Sequence, residues 1–197
     1  MARDTRERIV AVARDLVHGA SLAEVSTEDV CKAAGVHKGS LYHFFPSKEA
    51  LGGAVLDHNW DMMHAVLEES FADDVPPLER VDRFVDSFVR MLTLMRERFG
   101  ATPGCPLGGL AAEVAGHGDE GRARAGRVLA GWMGYFATAI SEAKGRGDVP
   151  ADVDPRLAAT RVLALMQGLT LLAKAHDDPG IVLLAKADIR LLLRASG

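Results

Sequence analysis

Residues 31–48 read CKAAGVHKGSLYHFFPSK, which is three lysines and no carboxylate in eighteen residues of a chain whose formal net charge is −4. Gly35 stands where one short helix ends and another begins, because glycine accepts the left-handed conformation that closes a helix. Ala33, Ala34 and Val36 are small or apolar, as close packing between two such helices requires, and Leu41 with Phe44 and Phe45 would pin the second helix to the first. That leaves His37, Lys38, Ser40, Tyr42 and His43 facing outward, with Lys48 at the start of the next helix. Two short helices crossing at a glycine turn make a helix-turn-helix. Outward lysines suit phosphates, and short side chains near a helix start let the backbone approach base edges. A solvated basic face is the simpler alternative.

Bulk composition neither demands nor forbids such a site. The 197 residues carry 23 Lys/Arg and 27 Asp/Glu, are 48% hydrophobic and 25% charged, and fall in the globular range. Residues 1–50 hold seven basic and seven acidic side chains, so the whole negative excess lies beyond them. The charged N-terminus, MARDTRERIV, and the want of an apolar run of membrane length predict a soluble, cytoplasmic protein with no membrane partner. Cys31 and Cys105 are too few and too distant for a disulfide framework or a zinc site.

Outward from that stretch, apolar residues recur at helical spacing and almost never alternate. Ile9, Val12/Ala13 and Leu16/Val17 form a first stripe. Ser26, with a carboxylate three residues on at Asp29, caps the second helix. A third runs from about His37 to Phe44, and Pro46-Ser47-Lys48-Glu49 opens a longer fourth. A fifth follows Pro76-Pro77, a Gly/Pro-rich break covers residues 100–109, and a short sixth precedes a long seventh. Two more are expected at about 155–175 and 179–195. The expectation is all-α, about nine helices: an N-terminal three-helix head over 1–46 and a helical ligand-binding and dimerisation body over 47–197.

The segment STEDVCKAAGVHKGSLYHFFPSKEALGGAVL, residues 26–56, resembles the DNA-binding signature of the TetR family of bacterial repressors. Its specificity lies in LYHFFPSKEAL following the turn, more than in a helix-turn-helix alone. The resemblance implies a homodimer that binds double-stranded operator DNA and releases it on binding a small-molecule inducer. It implies DNA contacts at Thr27, His37, Lys38, Gly39, Ser40, Tyr42, His43 and Lys48. Thr27, Tyr42, His43 and Lys48 fall where the family grips phosphates, and Lys38, Gly39 and Ser40 where it reads or approaches bases. Thr27 is also a good helix start, and Tyr42 a structural ring, in any context.

In the body, Met62, Met63, Phe84, Phe88, Met91, Trp132, Tyr135 and Phe136 form aromatic and methionine-rich stripes. Core is their simplest reading; with Gln167 and Cys105 they are also the candidate lining of a pocket for an apolar or aromatic ligand. Cys105, in GCPLGGLAAE, resembles a segment of electrophile-responsive branches of the family, although Gly109 stands where those often carry Asn. A thiol near a helix start gains thiolate character; a packed, inert cysteine is the alternative. The run VLALMQGLTLLA is apolar on most sides and needs covering all round. A second subunit would supply that cover through Leu165, Leu169, Leu172, Ile189 and Leu192, as the family's four-helix dimer interface implies. His58, Asp61 and His64 lie one turn apart, yet no metal or cofactor is expected. The chain lacks H-E-x-x-H, a phosphate-binding glycine loop and paired Glu-x-x-His motifs, which also argues against the competing reading of a small all-α enzyme.

Overall fold

The structure, a computed structural model, describes residues 2–195. Among them are nine α-helices and no strand: α1 Ala2–Gly19, α2 Thr27–Ala34, α3 Lys38–Phe44, α4 Lys48–Ser70, α5 Pro77–Phe99, α6 Gly108–Ala115, α7 Gly118–Arg146, α8 Pro155–His176 and α9 Ala185–Leu193. A 3₁₀ stretch, Pro179–Leu184, stands where a single last helix was expected from residue 179. Asp178 accepts the Gly180 N–H there at 2.8 Å, and Pro179 starts the tighter winding.

The chain divides into two compact units: Met1–Met62 with Pro106–Val128, and Met63–Cys105 with Leu129–Gly197. This border differs from a split after residue 46, because α4 as far as Met62, α6 and the first turns of α7 cluster with the head. In the first unit α1 buries Ile9, Val10, Ala13 and Val17. Ser26 and Asp29 cap α2 reciprocally, the Asp29 N–H reaching Ser26 Oγ at 3.1 Å and the Ser26 N–H reaching Asp29 Oδ2 at 3.2 Å. Gly35 ends α2 at φ +63°, and the Val36 N–H closes the turn on the Cys31 carbonyl at 3.0 Å. A residue with a Cβ would strain that left-handed position. Leu41 and Phe45 are sealed beneath α3 while Ala33 stays exposed. Gly52 of α4 lets Leu22 approach so closely that a Cβ would lie 2.4 Å from its Cδ2.

The second unit is built on an aromatic cluster. Phe84 and Phe88 of α5 meet Trp132 and Phe136 of α7, Phe84 lying edge-on to both rings at centroid distances of 5.9 and 5.6 Å. α8 buries Ala158, Ala159, Val162, Leu163, Met166, Leu169 and Ala173. At 22 residues it is long and apolar enough, by length and composition alone, to cross a membrane, contrary to the expectation that no run reached that length. The core helix of a soluble protein passes the same test, and 44% of the apolar window of α8 is buried.

Candidate functional site

The outward set of α3 is as its spacing predicts: His37, Lys38, Gly39, Ser40, Tyr42 and His43 are all exposed, and Leu41 alone within the helix is buried. Seven residues make a helix of two turns, so one row of side chains anchors it and the rest is available. Lys38 is not idle. Its ammonium meets Glu28 of α2 at 2.6 Å, which lowers the Glu28 carboxyl and raises the lysine. Lys48, half-buried at the start of α4, donates to the Ala23 carbonyl at 2.8 Å. Thr27 departs from expectation: with 9% of its surface exposed, it leaves little of its side chain for a phosphate. What the start of α2 offers instead is backbone N–H groups without intrahelical acceptors.

Sequence spacing did not reveal how α6 engages this head. Glu113 accepts the Ala23 N–H at 3.0 Å and the Leu22 N–H at 3.4 Å, holding the turn between α1 and α2. Ala23 is thereby held on its N–H by Glu113 and on its carbonyl by Lys48. Buried Asn59 of α4 donates to the Pro106 carbonyl at 2.8 Å and lies 3.3 Å from His18 Nε2. A glutamate reaching across 90 residues leaves no periodic signature.

The residues read as pocket lining separate into different environments. Met63, Phe84, Phe88, Trp132 and Phe136 are fully buried, and the four rings pack on one another, so they are core and not the wall of an open pocket. Trp132 Nε1 has no acceptor there, which costs about 1–3 kcal/mol for a buried donor. Met62 belongs to the first unit, is 52% exposed, and accepts a contact from Arg14 at 3.3 Å. Met91 is half-buried on α5. Cys105, also half-buried, has its sulfur 3.4 Å from the Gln167 amide nitrogen.

Tyr135 lines a cleft of about 530 Å³ together with Glu68, Phe71, Ala72, Asp73, Arg80, Gly131, Gly134, Thr138, Ala139 and Glu142. Its hydroxyl donates to Glu68 and lies 3.0 Å from His64 Nε2. Burial first, then Glu68, push its phenol up to about 12. His58 faces Arg14 at 3.3 Å instead, so the two histidines of the HNWDMMH run serve different partners. Phe71, which no periodic pattern singled out, has its ring 5.5 Å from that of Tyr135 and 5.7 Å from that of Phe136.

The last helices carry an uncovered apolar face, although not with every residue expected. Leu169 and Ile189 point into their own unit and are buried; Leu165 and Leu192 are half-buried, and Leu172 is exposed. Leu171, 67% exposed, and Leu184, 58% exposed, were not singled out by the sequence, whereas Leu191, 75% exposed, lies in the Leu191–Leu193 run expected to extend the apolar surface. Leu157, Ala164, Gly168, Leu171 and Ala175 continue the exposed side of α8 at spacings of three, four and seven.

Comparison with known proteins agrees with this geometry. Residues 9–55 match the family model described as bacterial regulatory proteins, tetR family, and residues 77–187 the model described as tetracyclin repressor-like, C-terminal domain. The transcriptional regulator AcuR of Cereibacter sphaeroides is 32% identical over 158 residues, covering 80% of this chain and 70% of that protein. The HTH-type transcriptional repressor DhaR of a Mycobacterium species is 29% identical over 154 residues, 78% of this chain and 74% of its own. A crystal structure of regulatory protein TetR from Rhodobacter sphaeroides superposes with a TM-score of 0.80 at 27% identity, over 93% of this chain and 95% of that one.

Proposed function

The chain belongs to the tetR family of bacterial regulatory proteins, and from that premise we propose that it is a homodimeric repressor that binds palindromic operator DNA and releases it to a small-molecule inducer. Its relatives are named as transcriptional regulators, a non-enzymatic role, which sets the enzyme alternative aside. Regulators of this family bind DNA as dimers and respond to small ligands. The observation that carries the reading is the exposed row His37, Lys38, Gly39, Ser40, Tyr42 and His43 on a helix anchored by Leu41, beside Lys48.

In this reading α3 enters the major groove, with the Gly39–Ser40 backbone close to base edges. Tyr42, His43 and Lys48 take phosphates, and the start of α2 adds backbone N–H groups. The exposed leucines of α8 and α9 meet their counterparts on a second copy, so two heads read two half-sites about one helical turn apart or somewhat more. A DNA target of this kind is met in the bacterial cytoplasm, the location this reading assigns to the protein.

Selection of bound duplexes from a random pool tests this directly. The expected product is a two-fold symmetric consensus whose binding weakens steeply with salt. Recovery of duplexes with no common sequence, or of an asymmetric site bound by a single protomer, would overturn it.

A further inference from the structure

We propose that the cleft between the end of α4 and the outer face of α7 is a binding site for aromatic organic cations, and that its occupancy is the signal the regulator reads. The second half of this statement rests on the inducer reading given above; the first stands on the cleft. Its charge is one-sided. Glu68, Asp73 and Glu142 line it against the single guanidinium of Arg80, and that guanidinium is committed to Glu142 at 2.8 Å and to the Val75 carbonyl at 2.8 Å. Glu68, which accepts the Tyr135 hydroxyl and lies 3.7 Å from His64 Nε2, and Asp73 remain as the carboxylates of the cleft that Arg80 does not engage. Tyr135 stays a neutral phenol at physiological pH, so it adds a hydroxyl and a ring face without adding charge.

The walls are aromatic on the same side. Phe71 and Tyr135 stand 5.5 Å apart at 50°, and Phe71 is backed by Phe84 and Phe136, with centroids at 6.0 and 5.7 Å. Such backing holds a ring in place before a ligand arrives. A cation held over ring faces beside carboxylates gains from both, and gains more where water is partly excluded. The floor is bare. Gly134 lies in the middle of α7, where glycine is the poorest helix former after proline, yet a Cβ there would meet nothing within 4 Å. Packing therefore does not call for glycine at that position, and its effect is to leave the floor of the cleft open. A volume of about 530 Å³ lies within the range of small-molecule sites.

Tetraphenylphosphonium and tetraphenylborate, ions of one shape and opposite charge, test the assignment by calorimetry on the full chain. The phosphonium is expected to bind and the borate to bind at least tenfold more weakly. The double variant Glu68→Gln, Asp73→Asn is expected to lose tenfold or more in phosphonium affinity, and Gly134→Leu, which fills the floor, to abolish it with circular dichroism unchanged. Equal affinity for both ions, or phosphonium affinity untouched by either variant, overturns the site. A selected operator duplex separates the two halves of the proposal. Phosphonium that binds the cleft but leaves DNA affinity unchanged overturns the signalling role and leaves the site standing. Absence of phosphonium binding in a chain that still binds its operator overturns the site and leaves the DNA-binding reading standing.

Discussion

Arg96 and Asp177 meet as two forks, the guanidinium Nε and Nη2 each donating to one carboxylate oxygen at 2.9 Å. The same carboxylate accepts the N–H and the hydroxyl of Thr102, both at 2.9 Å. Asp177 sits in the left-handed region at φ +51° just past α8, so one side chain ties the end of α5 and the loop after it to the end of α8. Arg96 first, then Thr102, hold its carboxyl far below the usual carboxylate range. A depressed pKa contributes stability that is present above the unfolded value, near 4, and lost as pH falls through the folded one. Asp177→Asn, which keeps a residue tolerant of that backbone, is expected to lower Tm at pH 7. The difference from wild type is expected to shrink steadily below about pH 4. A gap in melting temperature that stays constant into acid would contradict this.

Leu171 and Leu169 are expected to behave oppositely. Leu171→Glu places a charge on a face that is exposed in the protomer, so the fold persists while dimerisation weakens by about a hundredfold or more, roughly 3 kcal/mol for an unpaired charge at an interface. Leu169→Glu puts the same charge inside the unit and is expected to unfold it. Sedimentation and circular dichroism on both variants distinguish these outcomes, and a Leu171→Glu protein still dimeric at low micromolar concentration would refute the interface.

Lys48 and Ser40 separate phosphate gripping from base reading. Lys48→Ala is expected to weaken binding alike on all sequences and to reduce the salt slope by about one. Changing Ser40 is expected to alter which duplex is preferred. Titrations at several salt concentrations decide; an unchanged slope in Lys48→Ala removes the phosphate role.

Glu28 occupies the ammonium of Lys38 at 2.6 Å. Glu28→Gln frees that lysine and removes a like charge from the DNA-facing side. Affinity for any duplex is expected to rise severalfold at low salt, with the gain fading as salt screens it. A loss of affinity would mean that Glu28 positions Lys38 instead of competing for it.

Glu113 holds the turn before α2 through the Leu22 and Ala23 amides. Hydrogen bonds to a charged acceptor contribute about 1.5–3 kcal/mol. Glu113→Ala is expected to speed exchange of the Ala23 amide by about tenfold or more, with amides of α5 unaffected. Unchanged protection at Ala23 would show that α6 does not restrain the turn.

The head was legible because its signals are local. Ser26 finds Asp29 three residues on, Gly35 supplies the left-handed turn, and Leu41 anchors α3, each within one or two turns of helix. Thr27 was the exception, since its burial depends on what packs over α2 and not on its neighbours in sequence. Core and pocket lining were not separable in the sequence for a related reason. An aromatic stripe has the same spacing whether it lines a cavity or fills a core, and Phe84, Phe88, Trp132 and Phe136 fill one.

By itself the sequence determined the helices as far as α8, the cap of α2, the turn that makes the head, and which side of α3 faces outward. Periodicity and capping act between residues a few positions apart, so the chain states them directly. Tertiary structure alone decided which apolar residues of α8 are inside, because Leu169 and Leu171 are chemically identical and only the phase of the helix against its neighbours turns one inward. It alone brought Glu113 to Ala23 and Phe71 to Tyr135. Contacts between residues so far apart follow from how helices pack, and no single helix carries that information.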